Sequence, residues 1–236
     1  MIPRLVTFDC AGTLVAVPQG WSMGGFAADC ARHVGLCPTE ADAAEYQRLY
    51  MSRLPEFVEA NMSRDPGQRK DYWRRLATDW LASTGQTADA LDPMLEAADE
   101  LGFGANSILF SLYDDVVPCL DALDALGVRA SVVSNWDYSL HRVLRMFGIE
   151  DRFVTVTASL EEGVEKPDPK LFEITLRRAG FETGETLHVG DDLVDDVQGA
   201  VNAGIRPVLL DRSLTHSERP AIRSLLDLPE ALGWID

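Results

Sequence analysis

The chain opens with a short apolar segment and then changes its hydrophobic period. Leu5 to Phe8 is predicted to form a buried strand, and Asp9, Gly12 and Thr13 mark the polar turn that ends it. Between about Gly20 and Gly104 the apolar residues recur at helical spacing, and each predicted helix has its own start and stop signal. These helices are predicted from Ser22 to near Gly35, from Thr39 with Asp42 onward, from Asp65-Pro66 to near Gly85, and from Thr87 to Leu101.

After this helical segment the chain alternates between strands and helices. The predicted strands are Ala130–Ser134, Phe153–Thr157, Leu187–Val189 and Arg206–Leu210, and the predicted helices are Val116–Leu126, Ser139–Phe147, Lys170–Ala179 and Asp196–Ala203. Such alternation favours right-handed crossovers and a parallel sheet with helices on both faces. We therefore predict an α/β fold with a Rossmann-like core, residues 1–16 and 110–236, and an inserted all-helical cap domain, residues 17–109. The tail from Ser213 to Asp236 is predicted to be a surface helix.

Composition narrows the classes of partner. The 236 residues carry a formal net charge of −17 at pH 7 and have a sequence pI near 4.5, so the chain's charge opposes binding to nucleic acid or to anionic membranes. No stretch has the length and apolarity of a membrane span or a signal peptide. The four cysteines are scattered without a C-x-x-C pair, which argues against zinc and against a disulfide framework. We expect a soluble, cytoplasmic protein, monomeric or homodimeric, that acts on a small molecule.

Polar side chains follow the predicted strands, where ligands of open parallel sheets bind. Asp9 follows the first strand, Ser134 with Asn135 a second, and Asp191 with Asp192 a third, while Lys166 precedes a helix. Two carboxylates at adjacent strand ends repel each other unless a cation separates them, and hard oxygen ligands suit Mg²⁺. A lysine and a hydroxyl can hold phosphoryl oxygens while a carboxylate attacks phosphorus.

Four segments carry a family resemblance. Leu5-Val-Thr-Phe-Asp9-Cys-Ala-Gly-Thr13-Leu resembles the first motif of the haloacid dehalogenase-like (HAD) hydrolases, subfamily I type with an inserted helical cap. The segment Val132-Val-Ser134-Asn-Trp-Asp137 resembles the second motif of the family, and Glu165-Lys166-Pro-Asp-Pro169 resembles the third. The segment His188-Val-Gly190-Asp191-Asp-Leu-Val-Asp-Asp196 resembles the fourth. Each motif is weak alone, but all four occur in the order that the family shows.

The resemblance implies a role for each matching residue. It implies Asp9 as the nucleophile, with Mg²⁺ held by Asp9, the backbone carbonyl of Ala11, and Asp191. It implies Ser134 and Lys166 as catalytic phosphate ligands, and a cap that selects the substrate. The further predicted substrate contacts are Asn135, Gly12 and Thr13. Asp196 and Asp192 of the fourth motif are additional candidate site residues. Asp195 stays an open alternative to its neighbour Asp196, and Asp192 also suits a purely structural role at the start of a helix.

The chain departs from the family pattern at Ala11, where family phosphatases usually carry a second Asp that acts as general acid and base. Losing a positioned acid typically forfeits about 10²–10⁴ in rate. The first interpretation is a Mg²⁺-dependent phosphatase of a small phosphorylated metabolite with an aspartyl-phosphate intermediate. It would act on activated phosphates such as acyl phosphates, or take its acid from Asp137 or from the cap.

Three other interpretations stay open. A 2-haloacid dehalogenase acts on a halogenated substrate whose leaving halide needs no proton, and Asn135 resembles that branch, but those enzymes use no metal. Asp9-Cys-Ala-Gly-Thr13 is also similar to phosphonoacetaldehyde hydrolases, which need a desolvated cap lysine, and Lys70 is expected to be solvated. The third alternative is a metal- and anion-binding member of the family that has lost turnover.

Overall fold

The computed structural model describes residues 3–105, 107–213 and 221–232. The chain divides into two compact units, and we describe each by itself. The sheet unit comprises Met1–Ala16 and Ser111–Asp236, and the helical unit comprises Val17–Phe110.

The sheet unit is built on six parallel strands. In chain order the strands are β1 Leu5–Phe8, β2 Val15–Ala16, β3 Ser111–Leu112, β4 Arg129–Ser134, β5 Phe153–Ala158, β6 Thr186–Gly190, β7 Arg206–Leu210 and β8 Ala221–Ile222. Of these, β2 and β3 form a separate antiparallel pair outside the six-stranded sheet. The sheet has the order β5-β4-β1-β6-β7-β8, and every neighbouring pair runs parallel. The strand order reverses between β1 and β6, which is the point where doubly wound sheets bind ligands. The predicted α/β class with a Rossmann-like core is confirmed.

The helical unit begins most of its helices where the sequence places a cap. Its helices are α1 Met23–His33, α2 Glu40–Ser52, α3 Leu54–Met62, α4 Pro66–Ser83 and α5 Leu91–Phe103, with a 3₁₀ turn at Ala88–Ala90. Ser22, Thr39 and Asp65 cap α1, α2 and α4 through their side chains, as predicted. Trp80, Tyr72 and Leu76 are buried against their neighbours within the unit.

The helices of the sheet unit cover the strands with apolar faces. They are α6 Val116–Ala125, α7 Ser139–Met146, α8 Ser159–Glu162, α9 Pro169–Ala179, α10 Gly199–Asn202 and α11 Leu228–Ala231. Leu171 and Phe172 of α9 are buried against Leu5 of β1 and Val133 of β4. Because β1 is buried along its whole length, the residue that follows it is held on a rigid strand.

Two predictions of secondary structure need correction, and further elements were not predicted. The segment predicted as the helix Asp196–Ala203 starts earlier, as a π-helix at Leu193–Gln198 that continues into α10. The tail is not a surface helix where it is described: β8 joins the sheet, and Leu225 and Leu228 are fully buried. The remaining part of the predicted tail, residues 214–220 and 233–236, lies outside the described residues. The helix α3 and the β2–β3 pair were not predicted.

Candidate active site

The carboxyl ends of three neighbouring strands bring the predicted polar residues together. Asp9 follows β1, Ser134 ends β4, and Asp191 follows β6, which are adjacent in the sheet. The amide of Asp9 donates to the carbonyl of Val189 at 2.9 Å, so the pairing of β1 with β6 continues to the site. Oxygens of Asp9, Asp191 and Asp196 lie within 4.8 Å of one another. Residues up to 187 positions apart in sequence therefore form one cluster of carboxylates.

Lys166 lies between two of these carboxylates. Its Nζ donates to Oδ1 of Asp9 at 2.5 Å and to Oδ1 of Asp196 at 2.6 Å, and the side chains of Lys166 and Asp196 are each 2% exposed. The Ser134 hydroxyl donates to the same Oδ1 of Asp9 at 2.9 Å. Oδ2 of Asp9 therefore has no protein donor among the described residues. One oxygen of Asp9 is fixed and the other is available to a substrate or a cation.

Asp196 rather than Asp195 is the acid that the fold brings to the cluster. Oδ1 of Asp196 also lies 3.1 Å from Nε2 of His188, and Oδ2 accepts from the amide of Asp192 at 3.0 Å. His188 is fully buried on β6, and its Nδ1 lies 2.9 Å from the hydroxyl of Thr7 on β1. His188 is thus a support of the cluster that was not predicted, because nothing in the sequence distinguishes it from a core strand residue.

The turn after β1 packs directly against Asp191. The Thr13 hydroxyl donates to Oδ1 of Asp191 at 2.9 Å. Gly12 has φ +80°, and a Cβ atom there would collide with the Asp191 carboxylate. The Gly12 amide donates to the carbonyl of Val15 at 2.9 Å, and the Thr13 amide to that of Cys10 at 3.3 Å. The amides of Gly12 and Thr13, which were predicted to contact the substrate, therefore already donate hydrogen bonds within the turn.

Asn135 holds the backbone of Lys166. Its Oδ1 accepts from the Lys166 amide at 2.7 Å, and its Nδ2 donates to the Lys166 carbonyl at 3.0 Å and to Oδ2 of Asp195 at 3.1 Å. Asp192 accepts from the amides of Val194 and Asp195, so it caps the π-helix. Both residues lie beside the cluster with their side chains engaged in protein contacts, while Ala11 is exposed in the turn.

Burial and charge shift the ionisation of the cluster. Burial would lower the pKa of Lys166, but the charges of Asp9 and Asp196 outweigh burial and raise it, so the lysine is cationic. Burial would likewise raise the pKa of Asp196, yet hydrogen bonds from His188 and Lys166 hold it well below its usual value. Burial raises the pKa of Asp9, with the charge of Asp196 adding to the effect, and burial together with Asp9 raises the pKa of Asp191 to about 6. The one lysine thus contacts two of the three carboxylates of the cluster, Asp9 and Asp196.

Comparison of the chain with known proteins shows the family to which it belongs. The family described as haloacid dehalogenase-like hydrolase matches residues 3–204. The chain belongs to the haloacid dehalogenase-like hydrolases. The resemblance inferred from the four motifs is confirmed, and this member of the family is a hydrolase. None of its described helices has the length and apolarity needed to cross a membrane.

The chain is similar over most of its length to two known relatives and to one solved structure. The chain is 30% identical to haloacid dehalogenase-like hydrolase domain-containing protein 3 of Danio rerio, over 97% of this chain and 96% of that protein. It is 32% identical to glyceraldehyde 3-phosphate phosphatase of Methanopyrus kandleri, over 81% and 76%. Among solved structures, 2-haloacid dehalogenase of Pseudomonas syringae pv. Tomato DC3000 is 26% identical with a TM-score of 0.69, over 99% and 100%. Relatives therefore include both a phosphatase and a dehalogenase.

Proposed function

We propose that the protein is a Mg²⁺-dependent phosphatase of a small phosphorylated metabolite, with Asp9 as the nucleophile. The observation that carries this proposal is the cluster of Asp9, Asp191 and Asp196, in which the cationic Lys166 donates to two of the carboxylates, Asp9 and Asp196. The phosphatase among the relatives supports the same reaction class. We further propose that the helical unit is the substrate-selecting cap predicted from the sequence.

The donor set fits Mg²⁺. All available ligands are hard oxygens, and the lysine compensates only part of the charge of the three carboxylates, of which Asp9 and Asp196 are buried. Asp9, Asp191 and the backbone carbonyl of Ala11 would hold the ion, with Asp196 beside them. When bound, Mg²⁺ neutralises the repulsion between a phosphoryl group and the carboxylates.

The residues of the chain supply the remaining steps. Oδ2 of Asp9 forms a bond to phosphorus, and the bond from phosphorus to the leaving oxygen breaks with its electron pair on that oxygen. Lys166 and Ser134 fix Oδ1 of Asp9 and stabilise charge on the phosphoryl oxygens. Water then attacks phosphorus and releases its proton to solvent, the bond to Asp9 breaks with its electron pair on the Asp9 oxygen, and phosphate and the free carboxylate are released.

Ala11 determines which leaving group is favoured. A methyl group at this position delivers no proton, so a poorly activated alcohol must take its proton from solvent or another side chain. The carboxylate released from an acyl phosphate needs no proton. We therefore propose that the enzyme prefers acyl phosphates or similarly activated phosphates over alkyl monoesters.

A 2-haloacid dehalogenase is the second candidate. Ala11 and the similarity to the Pseudomonas syringae dehalogenase favour it, because a halide leaves unprotonated. Asp191 and Asp196 count against it, since additional carboxylates beside Asp9 repel a haloacid anion unless a cation is present. Phosphonate cleavage lacks support, because Lys70 is exposed and imine chemistry requires a desolvated lysine.

A substrate panel with and without metal distinguishes these functions. Acetyl phosphate, p-nitrophenyl phosphate, alkyl monophosphates and 2-chloropropionate are each assayed with Mg²⁺ and with chelator. We expect Mg²⁺-dependent release of phosphate that is fastest from acetyl phosphate. Chelator-insensitive release of halide without release of phosphate would establish the dehalogenase instead, and no turnover of any substrate would leave a binding protein.

Asp9→Asn tests the nucleophile. We expect this variant to lose turnover and to keep the fold, because the amide retains the shape of the carboxylate. Asp151→Asn, at an exposed carboxylate in the same unit, is the matched control and should remain fully active. Acid quenching during turnover of ³²P-labelled acetyl phosphate should trap label on the wild-type protein and not on Asp9→Asn. A fully active Asp9→Asn variant would exclude the proposed role.

A further inference from the structure

We propose that Arg212, which lies outside the four motifs, is a positioning residue that holds the turn carrying Asp9 and Ala11. Arg212 follows β7, two positions after its last residue. Its Nε donates to the carbonyl of Gly12 at 3.2 Å, and its Nη2 donates to the carbonyl of Thr13 at 2.8 Å. Both acceptors belong to the turn that presents the proposed nucleophile. This inference rests on the proposed function of that turn.

The guanidinium is itself fixed by a second set of contacts. Asp115 accepts from Nη1 at 2.8 Å and from Nη2 at 2.9 Å in a bidentate pair, and the ring of Tyr113 lies 3.8 Å from the guanidinium carbon. Asp115 also accepts from the Ser224 hydroxyl and the Leu225 amide. An arginine held on two sides has lost the freedom of its side chain, so the turn is bound to a rigid group.

The charge of Asp115 is preserved although the residue is buried. Burial would raise its pKa, but hydrogen bonds from Arg212, Ser224 and Leu225 outweigh burial and keep the pKa below its usual value. The ionised carboxylate therefore anchors Arg212 throughout the neutral pH range. The side chain of Arg212 is 20% exposed and that of Asp115 10%, so solvent screens the pair little.

The turn transmits this support to the carboxylate cluster. Thr13 is fully buried, its carbonyl accepts from Arg212, and its hydroxyl donates to Asp191 at 2.9 Å. The turn also closes on itself, since the amides of Leu14 and Val15 donate to the carbonyl of Cys10. Displacement of the turn would therefore move the Ala11 carbonyl and Asp191 relative to Asp9. A shift of about 1 Å in a reacting group can cost about 100-fold in rate.

Arg212→Lys is the decisive variant. Lysine keeps the charge, but one ammonium cannot reproduce the planar fork that bonds both Asp115 and the two carbonyls. We expect kcat for p-nitrophenyl phosphate to fall by about 10- to 100-fold while KM stays close to the wild-type value. The rise in Tm that Mg²⁺ causes in the wild-type protein should shrink in the same variant. A purely structural role would lower Tm without changing kcat at temperatures well below it.

Arg152→Lys is the matched control. Arg152 also donates to two carboxylates, those of Asp121 and Asp124 at 2.8 Å each, but it contacts no residue of the turn. The kcat of the Arg152→Lys variant and the rise in its Tm on addition of Mg²⁺ should equal those of the wild-type protein. If Arg212→Lys does not fold, Asp115→Asn serves instead, because it weakens the anchor and leaves the guanidinium in place.

The outcomes separate this inference from the proposed function. A folded Arg212→Lys variant with the kcat and Mg²⁺ response of Arg152→Lys overturns the inference and leaves the phosphatase intact. A wild-type protein that hydrolyses no phosphate overturns the proposed function, and the Mg²⁺-induced shift in Tm then decides the role of Arg212. A wild-type protein that shows neither hydrolysis nor a Mg²⁺ response overturns both.

Discussion

Replacing Lys166 with methionine tests the electrostatics of the carboxylate cluster most directly. Methionine fills a similar volume but removes the cation that bonds Asp9 at 2.5 Å and Asp196 at 2.6 Å. The side chains of Asp9 and Asp196 are 10% and 2% exposed, so water cannot replace the lost partner. Removing one member of a buried ion pair typically costs about 3–5 kcal/mol. For a chain of this length, that cost lowers Tm by roughly 6–20 °C.

A second substitution shows whether repulsion between carboxylates is the cause. Asp196→Asn removes one of the negative charges with little change of shape. It should destabilise the wild-type protein, because Lys166 loses a partner. In the Lys166→Met background the same change should instead restore about 1–3 kcal/mol, because it removes repulsion from Asp9. The two substitutions should therefore be strongly non-additive.

Urea unfolding in the presence of chelator measures all four proteins of this cycle. Lys170→Met, which removes an exposed lysine from α9, is the matched control and should unfold like the wild type. The reasoning is refuted if the effects of Lys166→Met and Asp196→Asn simply add, or if Lys166→Met unfolds at the same urea concentration as Lys170→Met.

Three further predictions concern single positions. Ala11→Asp should raise kcat for alkyl monophosphates by up to about 100-fold and change hydrolysis of acetyl phosphate little, as steady-state rates will show; equal effects on both substrates would contradict this. Gly12→Ala should abolish activity because its Cβ collides with Asp191, whereas Gly127→Ala, at a similar φ in open space, should cost only about 1–2 kcal/mol of stability and leave activity unchanged. The hydrogen bonds that His141 donates to Glu161 and Glu150 raise its pKa, so its stabilisation is complete below its unfolded pKa of about 6.5 and disappears as pH rises through the folded value; His141→Gln should therefore lower stability more at pH 6 than at pH 9 in thermal unfolding.

Elements with a local signal were predictable from the sequence. Asp65 followed by Pro66 specifies a helix start by itself, since the side chain caps the helix and proline fits its first turn. The buried strand Leu5–Phe8 is likewise bounded by its own residues. In both cases the physical cause lies within a few positions, so the pattern and the structure agree.

Most elements that were missed lack a strong local cause. The helix α3 follows α2 after a single residue, Arg53, which makes no capping hydrogen bond, so Pro55 in its first turn was the one local signal of a new helix. The strand β8 has two residues, too few to show a period, and exists because β7 offers it a partner. The π-helix at Leu193–Gln198 shifts the helical phase, so spacing alone left Asp195 as an open alternative to Asp196.

The same division applies to the site. The motifs pointed to Asp9, Ser134, Lys166 and Asp191, because each stands directly after a predicted strand or in a matching segment. They did not reveal that the Lys166 amine bonds two carboxylates or that Asn135 binds the backbone of Lys166. Such contacts depend on register between strands that are far apart in sequence, and no local pattern records that register.

The position of Ala11 explains how the leaving group can change while the cluster persists. The contacts that hold the turn are made by the Thr13 hydroxyl, by backbone groups and by Arg212, and a methyl group takes part in none of them. An acid or an alanine at position 11 is therefore compatible with the same arrangement of Asp9 and Asp191. Because the frame and the proton donor are independent, we expect loss of the donor to narrow the substrates to those with good leaving groups and to leave the proposed nucleophile in place.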